Sequence, residues 1–598
     1  MSDPVVAAFD FPRHPLARDD GERLRGAFRA PPARWLRATR ADELAGVIDA
    51  AHAAARAGAW VLGGLRYEAA GALDAALASQ AAPAGMPLAE FAVFEQAPDD
   101  WPAPAAPARV SGPWFDTQAE AAEAAQIEAI RAWIRAGDCY QVNLTTRLDA
   151  TLEAVAPFAL FEALHAQQPG GFSLFLDIGA GASVASVSPE LFFDWRPVPG
   201  AERSWLLATQ PMKGTAPRGA DRAADEAAQT LLRTSEKERA ENLMIVDLLR
   251  NDLSRVARLG SVRVPRLFEL HALPTVWQMT STVSAASRAG LALSEVFAAL
   301  FPCGSVTGAP KVRAMQIIRD LESAARGWYC GALGLIQPGG VATFNVPIRT
   351  VEVQDRALRC GVGSAITLDS TAVAEIAEWR AKARFLVRAA EPFAALETMR
   401  LEPGGVVPRL ELHLARLQRT ARQFGLRWTP ARVREAIAAA VAAKPHDDAR
   451  LRLLLQADGT VAAEVLPLPP TPDVVQLALA DVPIDARGPA AEFLRHKTTR
   501  REAYAPFAAA RPAAAFDVIL FNEAGELTEC TFGNLALELD GRWLTPHAAA
   551  GLLPGVMREQ LLREGRIVEA RLTRADLARA TRVAFFNSLR GWLAATRL

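Results

Sequence analysis

The chain has 598 residues, more than one hydrophobic core normally serves, so several domains are expected. Apolar residues make up 51% and charged residues 22%, a globular balance, and 66 Lys+Arg against 67 Asp+Glu leave a net charge of -1. Nothing here supplies a basic stripe for nucleic acid or a like-charge tail, and no apolar run reaches the ~18 residues of a membrane span.

The first residues, MSDPVVAAFDFPRHP, carry acids and a proline and lack the basic region and apolar run of a secretory signal. Five dispersed cysteines (Cys139, Cys303, Cys330, Cys360, Cys530) with no CxxC pair read as reduced thiols in a cytoplasmic protein. Unclustered histidines, eight in all, argue against a His/Cys zinc site. Residues 1–95 alternate helical and strand-like patterns, and EQAPDDWPAPAAPARVSGPW (95–114) reads as a connector. From Thr117 to Arg388 helices mix with short β-rich runs. GFSLFLDI (171–178) is one, and CGALGLIQPGGVATFNVPIRTVEV (330–353), with QPGG as a hairpin turn, is another.

In SEKERAENLMIVDLLRNDLSRV (235–256), Ser235 and Glu238 predict a capping box, and Leu243, Val246, Leu249 and Leu253 predict an apolar helical stripe. Glu238 and Glu241 are three apart and share a face; AEIAEWRAKARFL (374–386) repeats the arrangement with Glu375 and Glu378. Carboxylates clustered from two helices suit a hard cation such as Mg2+, although each pair alone also fits a solvated helix face. Arg349, on the strand-like TFNVPIRT, and Lys382, one turn after Glu378, supply positive charge for an anion. FPCGSVTGAPK (301–311) is a Gly/Ser/Thr loop whose N–H groups suit a carboxylate, though a plain turn reads equally from it.

After AEPFAALETMR (390–400) the pattern restarts with a strand, a Gly-Gly turn (404–405) and a helix from about Leu410. LPLPPTPDVV (466–475) divides this last third into two lobes. With no internal repeat, the expected organisation is two unrelated modules: 1–114 and 115–388 for the first, 389–598 for the second.

GDCYQVNLT (137–145), SVSPELFF (186–193), TQPMKGTAPRG (209–219), AENLMIVDLLRND (240–252), GSVTGAPK (304–311), FNVPIRT (344–350) and the Glu378–Lys382 segment occur in one order. Together they resemble the chorismate-utilising enzymes over 115–388, with GGLRYEAAG (63–71) in the less distinctive N-terminal part. The resemblance implies an α/β (α+β) fold of antiparallel sheets packed with helices, and Mg–chorismate as ligand. It implies Glu241 and Glu378 as Mg2+ ligands, supported by Glu238 and Glu375. Arg349, Tyr329, Thr307, Lys382 and the backbone at Gly214, Thr215, Gly361 and Gly363 would then hold the two carboxylates.

Isochorismate- and salicylate-forming relatives place a lysine base where this chain has Gln141, and anthranilate synthases resemble PIAGT where this chain reads PMKGT. Resemblance to the aminodeoxychorismate synthases implies Lys213 as a nucleophile at ring C2, with Glu190 as general acid for the departing 4-hydroxyl. Gln278 stands where some relatives carry histidine and Asn242 where AEHLM is common, and no counterpart of the N-terminal tryptophan-binding motif is visible. No GxCxGxQ glutaminase elbow occurs, so ammonia is expected from solution or from a separate glutamine amidotransferase.

The second ordered set is LETMR (396–400), HLARLQRTA (413–421), RHKTTRREAY (495–504), ELTECTFGNLAL (526–537), GLLPGVMR (551–558) and FFNSLRG (585–591). It resembles the fold-type IV pyridoxal-phosphate enzymes, which include branched-chain and D-amino-acid aminotransferases and aminodeoxychorismate lyases. Lys497 is thereby implied to hold pyridoxal 5'-phosphate as a Schiff base, and Glu529 to pair with the pyridinium nitrogen. Arg416, the N–H groups of Val556 and Met557, and the Ser588 hydroxyl would bind the phosphate. A homodimer through this module is the usual arrangement of such enzymes. The fusion implies chorismate amination followed by pyruvate elimination, giving 4-aminobenzoate. Two alternatives are an anthranilate synthase joined to an aminotransferase, and a silent scaffold that docks an amidotransferase.

Overall fold

Two antiparallel sheets, each backed by helices, build the first unit, Met1–Glu391; the second unit is Pro392–Leu598. The computed structural model describes residues 4–17, 22–102, 109–198, 201–218, 222–272, 276–443 and 448–598, so the middle of the 95–114 connector, 103–108, lies outside the described residues. In one sheet, strand Gln141–Leu152 pairs with Ala357–Ile366, setting Thr145 opposite Gly363 and Arg147 opposite Gly361. In the other, Met212–Pro217 and Ala201–Gln210 both pair with Val276–Ala286. Residues 1–114 contribute strands to both sheets, Ala7–Pro12 and Arg23–Phe28 to the first and Trp60–Leu65 and Ala89–Phe94 to the second. They are built into the same unit as 115–388.

Phe9, Phe11 and Phe28 of one sheet meet Leu62, Phe94 and Leu333 of the other in the core between them. Each large apolar side chain buried there contributes roughly 1.5–3 kcal/mol. The outer faces carry helices. Leu44–Arg56, Glu236–Ser254 and Leu293–Leu300 cover one sheet, and Glu120–Ala136, Pro157–Gln167, Lys311–Leu321 and Ala372–Lys382 cover the other. The hairpin at QPGG joins Ala332–Ile336 to Ala342–Asn345, with Gly340 N–H donating to the Gln337 carbonyl at 2.8 Å.

Helix Glu236–Ser254 begins where expected, since Ser235 Oγ accepts from the Glu238 N–H at 3.3 Å. Its stripe differs at one place. Val246, Leu249 and Leu253 are buried, but Leu243 is 48% exposed and Asn242 takes the buried position. The two residues sit about 100° apart on the helix, enough to move one of them off the packed arc.

The second unit has two lobes. A three-stranded sheet, Ala395–Leu401, Ala449–Leu455 and Val461–Pro467, is followed by helix-bearing elements around an eight-stranded mixed sheet that begins at Val474–Leu479. The proline-rich stretch 466–475 passes from one sheet to the other. Helix Leu410–Phe424 lies against the small sheet and buries His413, Leu414, Arg416 and Leu417. Among the described residues no helix is long and apolar enough to cross a membrane. All five cysteines are free and buried.

Candidate active sites

Lys213 lies on strand Met212–Pro217, where Gly214 has φ +94, a left-handed conformation suited to glycine. A Cβ at Gly214 would come 3.2 Å from Glu238 Oε2 and 3.3 Å from Met279 Cβ, so the turn is pressed against the carboxylate-bearing helix. Burial lowers the Lys213 amine's proton affinity, and Lys382 lowers it further, against the opposing pull of Glu241, Glu190 and Glu378. The fold therefore gathers Lys213, Glu190, Glu241, Glu378 and Lys382 around one place. Glu190 is buried with Oε1 lacking a hydrogen-bond partner, and burial raises its carboxyl toward the protonated form. A neutral carboxyl of this kind can donate a proton.

The two departures from common family residues both brace the Lys213 turn. Gln278 Nε2 donates to the Gly214 carbonyl at 2.9 Å, while its Oε1 accepts from Thr215 Oγ1 at 2.9 Å. Asn242 Nδ2 donates to the Lys213 carbonyl at 3.4 Å. Gln141 is fully buried with neither side-chain polar atom hydrogen-bonded.

The remaining first-unit residues occupy more varied settings. Arg349 is not on a strand: it forms the bend before Thr350–Gln354, with φ +52, and donates to Gln168 Oε1. Among the described residues no carboxylate pairs with it, and burial lowers its pKa to about 10, so an anion would satisfy it. Thr307 is buried, with its hydroxyl donating within its own loop to Cys303 O at 3.2 Å. Tyr329 and Gly361 line a cavity of about 160 Å3 with Thr145, Glu322 and Arg326, which Lys213, Glu190, Arg349 and Lys382 do not line. A Cβ on Gly361 would fall 2.4 Å from Tyr329 Cδ1, so only glycine admits that ring. Lys382 donates to Gly363 O at 2.7 Å and pairs with Glu378 at 2.8 Å.

For a divalent cation the donor set is partly assembled. Burial raises Glu241, and Glu238 and Glu378 add repulsion that a cation would relieve. Burial pushes Glu378 the same way, but Lys382, with Lys213 and Lys237, outweighs it and lowers the carboxyl's proton affinity. Glu375 is buried and accepts from Ser364 Oγ, which itself accepts from Trp379 Nε1 at 2.7 Å. Among the described residues no group of three or more metal-binding side chains stands ready-made. Glu241 and Glu378 fit a cation that keeps waters or shares substrate oxygens.

In the second unit a cavity of about 350 Å3 is lined by Lys497, Glu529, Arg416, Val556 and Ser588. Lys497 follows the short helix Glu492–Arg495; burial, then Arg416, lowers its pKa to about 8. Glu529 Oε1 accepts from Tyr504 OH at 2.8 Å and Leu553 N–H at 3.0 Å, and burial lifts the group to about 7. Helix Val556–Arg563 opens at Gly555, where a Cβ would meet Asn534 Oδ1 at 2.1 Å. The N–H groups of Val556 and Met557, at its first positions, have no carbonyl four residues earlier inside the helix and suit a phosphate. Lysine of lowered pKa, a fixed carboxylate, a helix start and an arginine in one cavity fit pyridoxal phosphate.

Glu397, His413 and Arg409 carry no signal that spacing alone would expose. Arg416 is gripped by Glu397, Nε to Oε1 at 2.8 Å and Nη2 to Oε2 at 2.6 Å. Burial favours the neutral acid, yet Arg416 and His413 hold Glu397 at about 2. His413 Nδ1 faces Glu397 Oε2 at 2.7 Å and its Nε2 faces Ser588 Oγ at 2.7 Å. An ionised carboxylate fixes Nδ1 as the protonated nitrogen, and burial keeps the ring neutral, so Ser588 donates to Nε2. Arg409 Nε also donates to Ser588 Oγ, at 3.0 Å. Glu397 and His413 were inside LETMR and HLARL, but their pairing spans separate elements.

Residues 101–388 match the family described as chorismate binding enzyme, and residues 394–598 match amino-transferase class IV. Aminodeoxychorismate synthase component 1 of Salmonella typhimurium is 40% identical over 272 residues, 46% of this chain and 58% of that protein. Anthranilate synthase component 1 3 of Haloarcula marismortui is 38% identical over 286 residues, 48% of this chain and 55% of that protein. The chain thus spans little more than half the length of these relatives. The crystal structure of anthranilate synthase component I from Streptococcus pneumoniae aligns with 64% of this chain and 90% of that one, at 23% identity and a TM-score of 0.50, a likeness of fold.

Proposed function

We propose, for a chain whose residues 101–388 match the chorismate binding enzymes and whose residues 394–598 match the class IV amino-transferases, that its two units make 4-aminobenzoate in succession. The first aminates chorismate to 4-amino-4-deoxychorismate; the second eliminates pyruvate from that product. The observation that carries this reading is Lys213, an amine of lowered proton affinity set among Glu190, Glu241, Glu378 and Lys382.

In the first unit Lys213 Nζ adds at ring C2 and both ring double bonds shift, from C1–C2 to C1–C6 and from C5–C6 to C4–C5, as the 4-hydroxyl departs. Glu190 gives that hydroxyl its proton, so it leaves as water. Ammonia then bonds to C4, both double bonds return, and Lys213 leaves C2 as a free amine. Glu241 and Glu378 would hold Mg2+, which when bound neutralises substrate carboxylate charge. Arg349, without a carboxylate partner among the described residues, is the cation for a substrate carboxylate. The buried Gln141 cannot take a proton usefully near neutral pH, which disfavours attack by water. Ammonia would come from solution or from a separate glutamine amidotransferase partner, and the free thiols fit a cytoplasmic location.

In the second unit Arg416 and the N–H groups of Val556 and Met557 would hold the phosphate of pyridoxal 5'-phosphate, Ser588 would line it with its proton given to His413 Nε2, and Glu529 would pair with the ring nitrogen. When bound, that cofactor supplies an electron sink for the carbon bearing the substrate's amine. Lys497 would hold the cofactor before substrate arrives and then take the proton from ring C4, while the C3–O bond breaks and the departing enolpyruvate gains a proton to become pyruvate. NSLRG favours the lyase over an aminotransferase. A dimer through this unit belongs to the same reading.

The test is product identity. Purified chain given chorismate, Mg2+, ammonium and pyridoxal phosphate should release 4-aminobenzoate and pyruvate. Anthranilate as the aromatic product would overturn the reading.

A further inference from the structure

The cavity of the second unit holds more positive charge than the cofactor accounts for. Its lining contains five cations, Arg416, Arg450, Lys497, Arg501 and Arg590, against one carboxylate, Glu529. Three of the five have evident roles or partners. Lys497 is the cofactor lysine, Arg416 is gripped by Glu397, and Arg501 donates to Thr531 O and stacks on the Tyr504 ring.

Arg450 and Arg590 are different. Arg450 is the second residue of strand Ala449–Leu455, and its buried Nε meets no hydrogen-bond acceptor. Arg590, in the turn after Arg582–Asn587, gives Nη1 to Pro470 O at 3.1 Å and Thr471 Oγ1 at 2.8 Å and lies over the Phe516 ring, its Nε and Nη2 making no hydrogen bond among the described residues. Neither has a carboxylate at ion-pair distance among the described residues. The second influence on Arg590 after burial is repulsion from Arg450, which lowers its proton affinity. Two half-buried guanidiniums sharing one cavity are unfavourable unless an anion lies between or beside them. A planar carboxylate suits them, because each guanidinium can present two parallel N–H donors to it.

We propose that Arg450 and Arg590 form a carboxylate subsite, so that this unit takes an amine bearing an acid group remote from its reacting nitrogen. This rests on the lyase reading above for the identity of that amine, 4-amino-4-deoxychorismate, which carries carboxylates on its ring and its side chain. Arg416 and the start of helix Val556–Arg563 are sufficient for the cofactor phosphate, which leaves the other pair for substrate. The subsite also explains selectivity: an amine without the acid would leave two cations desolvated and unpaired.

The test uses the full chain loaded with pyridoxal phosphate, with Arg450→Gln, Arg590→Gln and the charge-retaining Arg450→Lys. The visible band of the cofactor should be kept in all three, which also reports intact folding. Pyruvate release from 4-amino-4-deoxychorismate should show KM raised roughly 10- to 100-fold in the glutamine variants, with partial recovery in Arg450→Lys. Calorimetric titration should show the unsubstituted chain binding 4-aminobenzoate more tightly than 4-aminobenzamide, a preference the glutamine variants lose. Equal binding of the two probes, or unchanged KM in both glutamine variants, would overturn the subsite. So would loss of cofactor affinity in place of substrate affinity. If the unsubstituted chain releases no pyruvate, the lyase reading fails separately. The subsite is then judged by the cofactor band's response to glutamate against alanine, where an arginine-dependent preference for glutamate upholds it and none refutes it.

Discussion

Asn242 Nδ2 donates to the main-chain oxygen of Lys213 at 3.4 Å, and Asn242 Oδ1 in turn accepts from Ser281 Oγ at 2.6 Å. A buried helix residue thus braces the strand that presents Lys213. Gln278 does the same one residue on, through Gly214 O and Thr215 Oγ1. Asn242→Ala and Gln278→Ala should each reduce amination by roughly tenfold, about the worth of one lost buried hydrogen bond. The lyase step on supplied 4-amino-4-deoxychorismate should be unchanged. Comparing both activities in each variant checks this, and equal loss of the two would refute a local role.

Lys213→Ala should abolish the amination and leave the second unit able to process supplied 4-amino-4-deoxychorismate at the rate of the unsubstituted chain. Lys213→Arg should not rescue, because a guanidinium stays protonated and is no nucleophile near neutral pH. Mass spectrometry of the chain with chorismate and without ammonia should show an adduct at Lys213 that disappears in the alanine variant. Amination surviving Lys213→Ala would remove the lysine from the chemistry.

Lys497 is held at about 8 by burial and Arg416. A lowered lysine pKa means the neutral amine, the form that reacts with an aldehyde, gains population as pH rises through about 8. Uptake of pyridoxal phosphate by the apo chain, followed at its visible band, should therefore accelerate from pH 7 to pH 9 and then level off. Lys497→Ala should show no such band. A midpoint near 10.5, the ordinary lysine value, would contradict the buried setting.

Glu397 carries the opposite sign. Its folded value of about 2 lies below the ordinary 4.5, so the ion pair with Arg416 and the hydrogen bond from His413 Nδ1 stabilise the fold above about pH 4.5. That contribution fades as pH falls from 4.5 toward 2. Glu397→Gln should remove this acid-sensitive part of the unfolding curve and cost about 3–5 kcal/mol near neutral pH, because Arg416 is left buried without its partner. Urea unfolding at pH 6 and pH 3 measures both effects. Chains with and without the substitution that respond identically to pH would place the acid sensitivity elsewhere.

Much of the molecule could be read before it was folded. The proline-rich stretch at 466–475 marks a lobe boundary because proline interrupts strands, and Ser235 starts a helix because its oxygen meets the N–H three residues on. These depend on neighbours within a few residues. The two lysines, Lys213 and Lys497, were likewise legible from the motifs that carry them.

What a charge faces was not legible. Arg349 stands in a left-handed bend where the pattern suggested a strand, Leu243 yields its buried place to Asn242, and Glu375 turns to Ser364. Arg416 is neutralised by Glu397, nineteen positions earlier in the chain, whereas Arg450 and Arg590 are 140 positions apart and share one cavity with no carboxylate at ion-pair distance from either among the described residues. Electrostatic partners are chosen by distance in space and by access to water. Sequence by itself determined the two catalytic units, their local elements and the residues able to do chemistry. Only the tertiary structure decided which of those charges are already paired and which are left to bind a substrate.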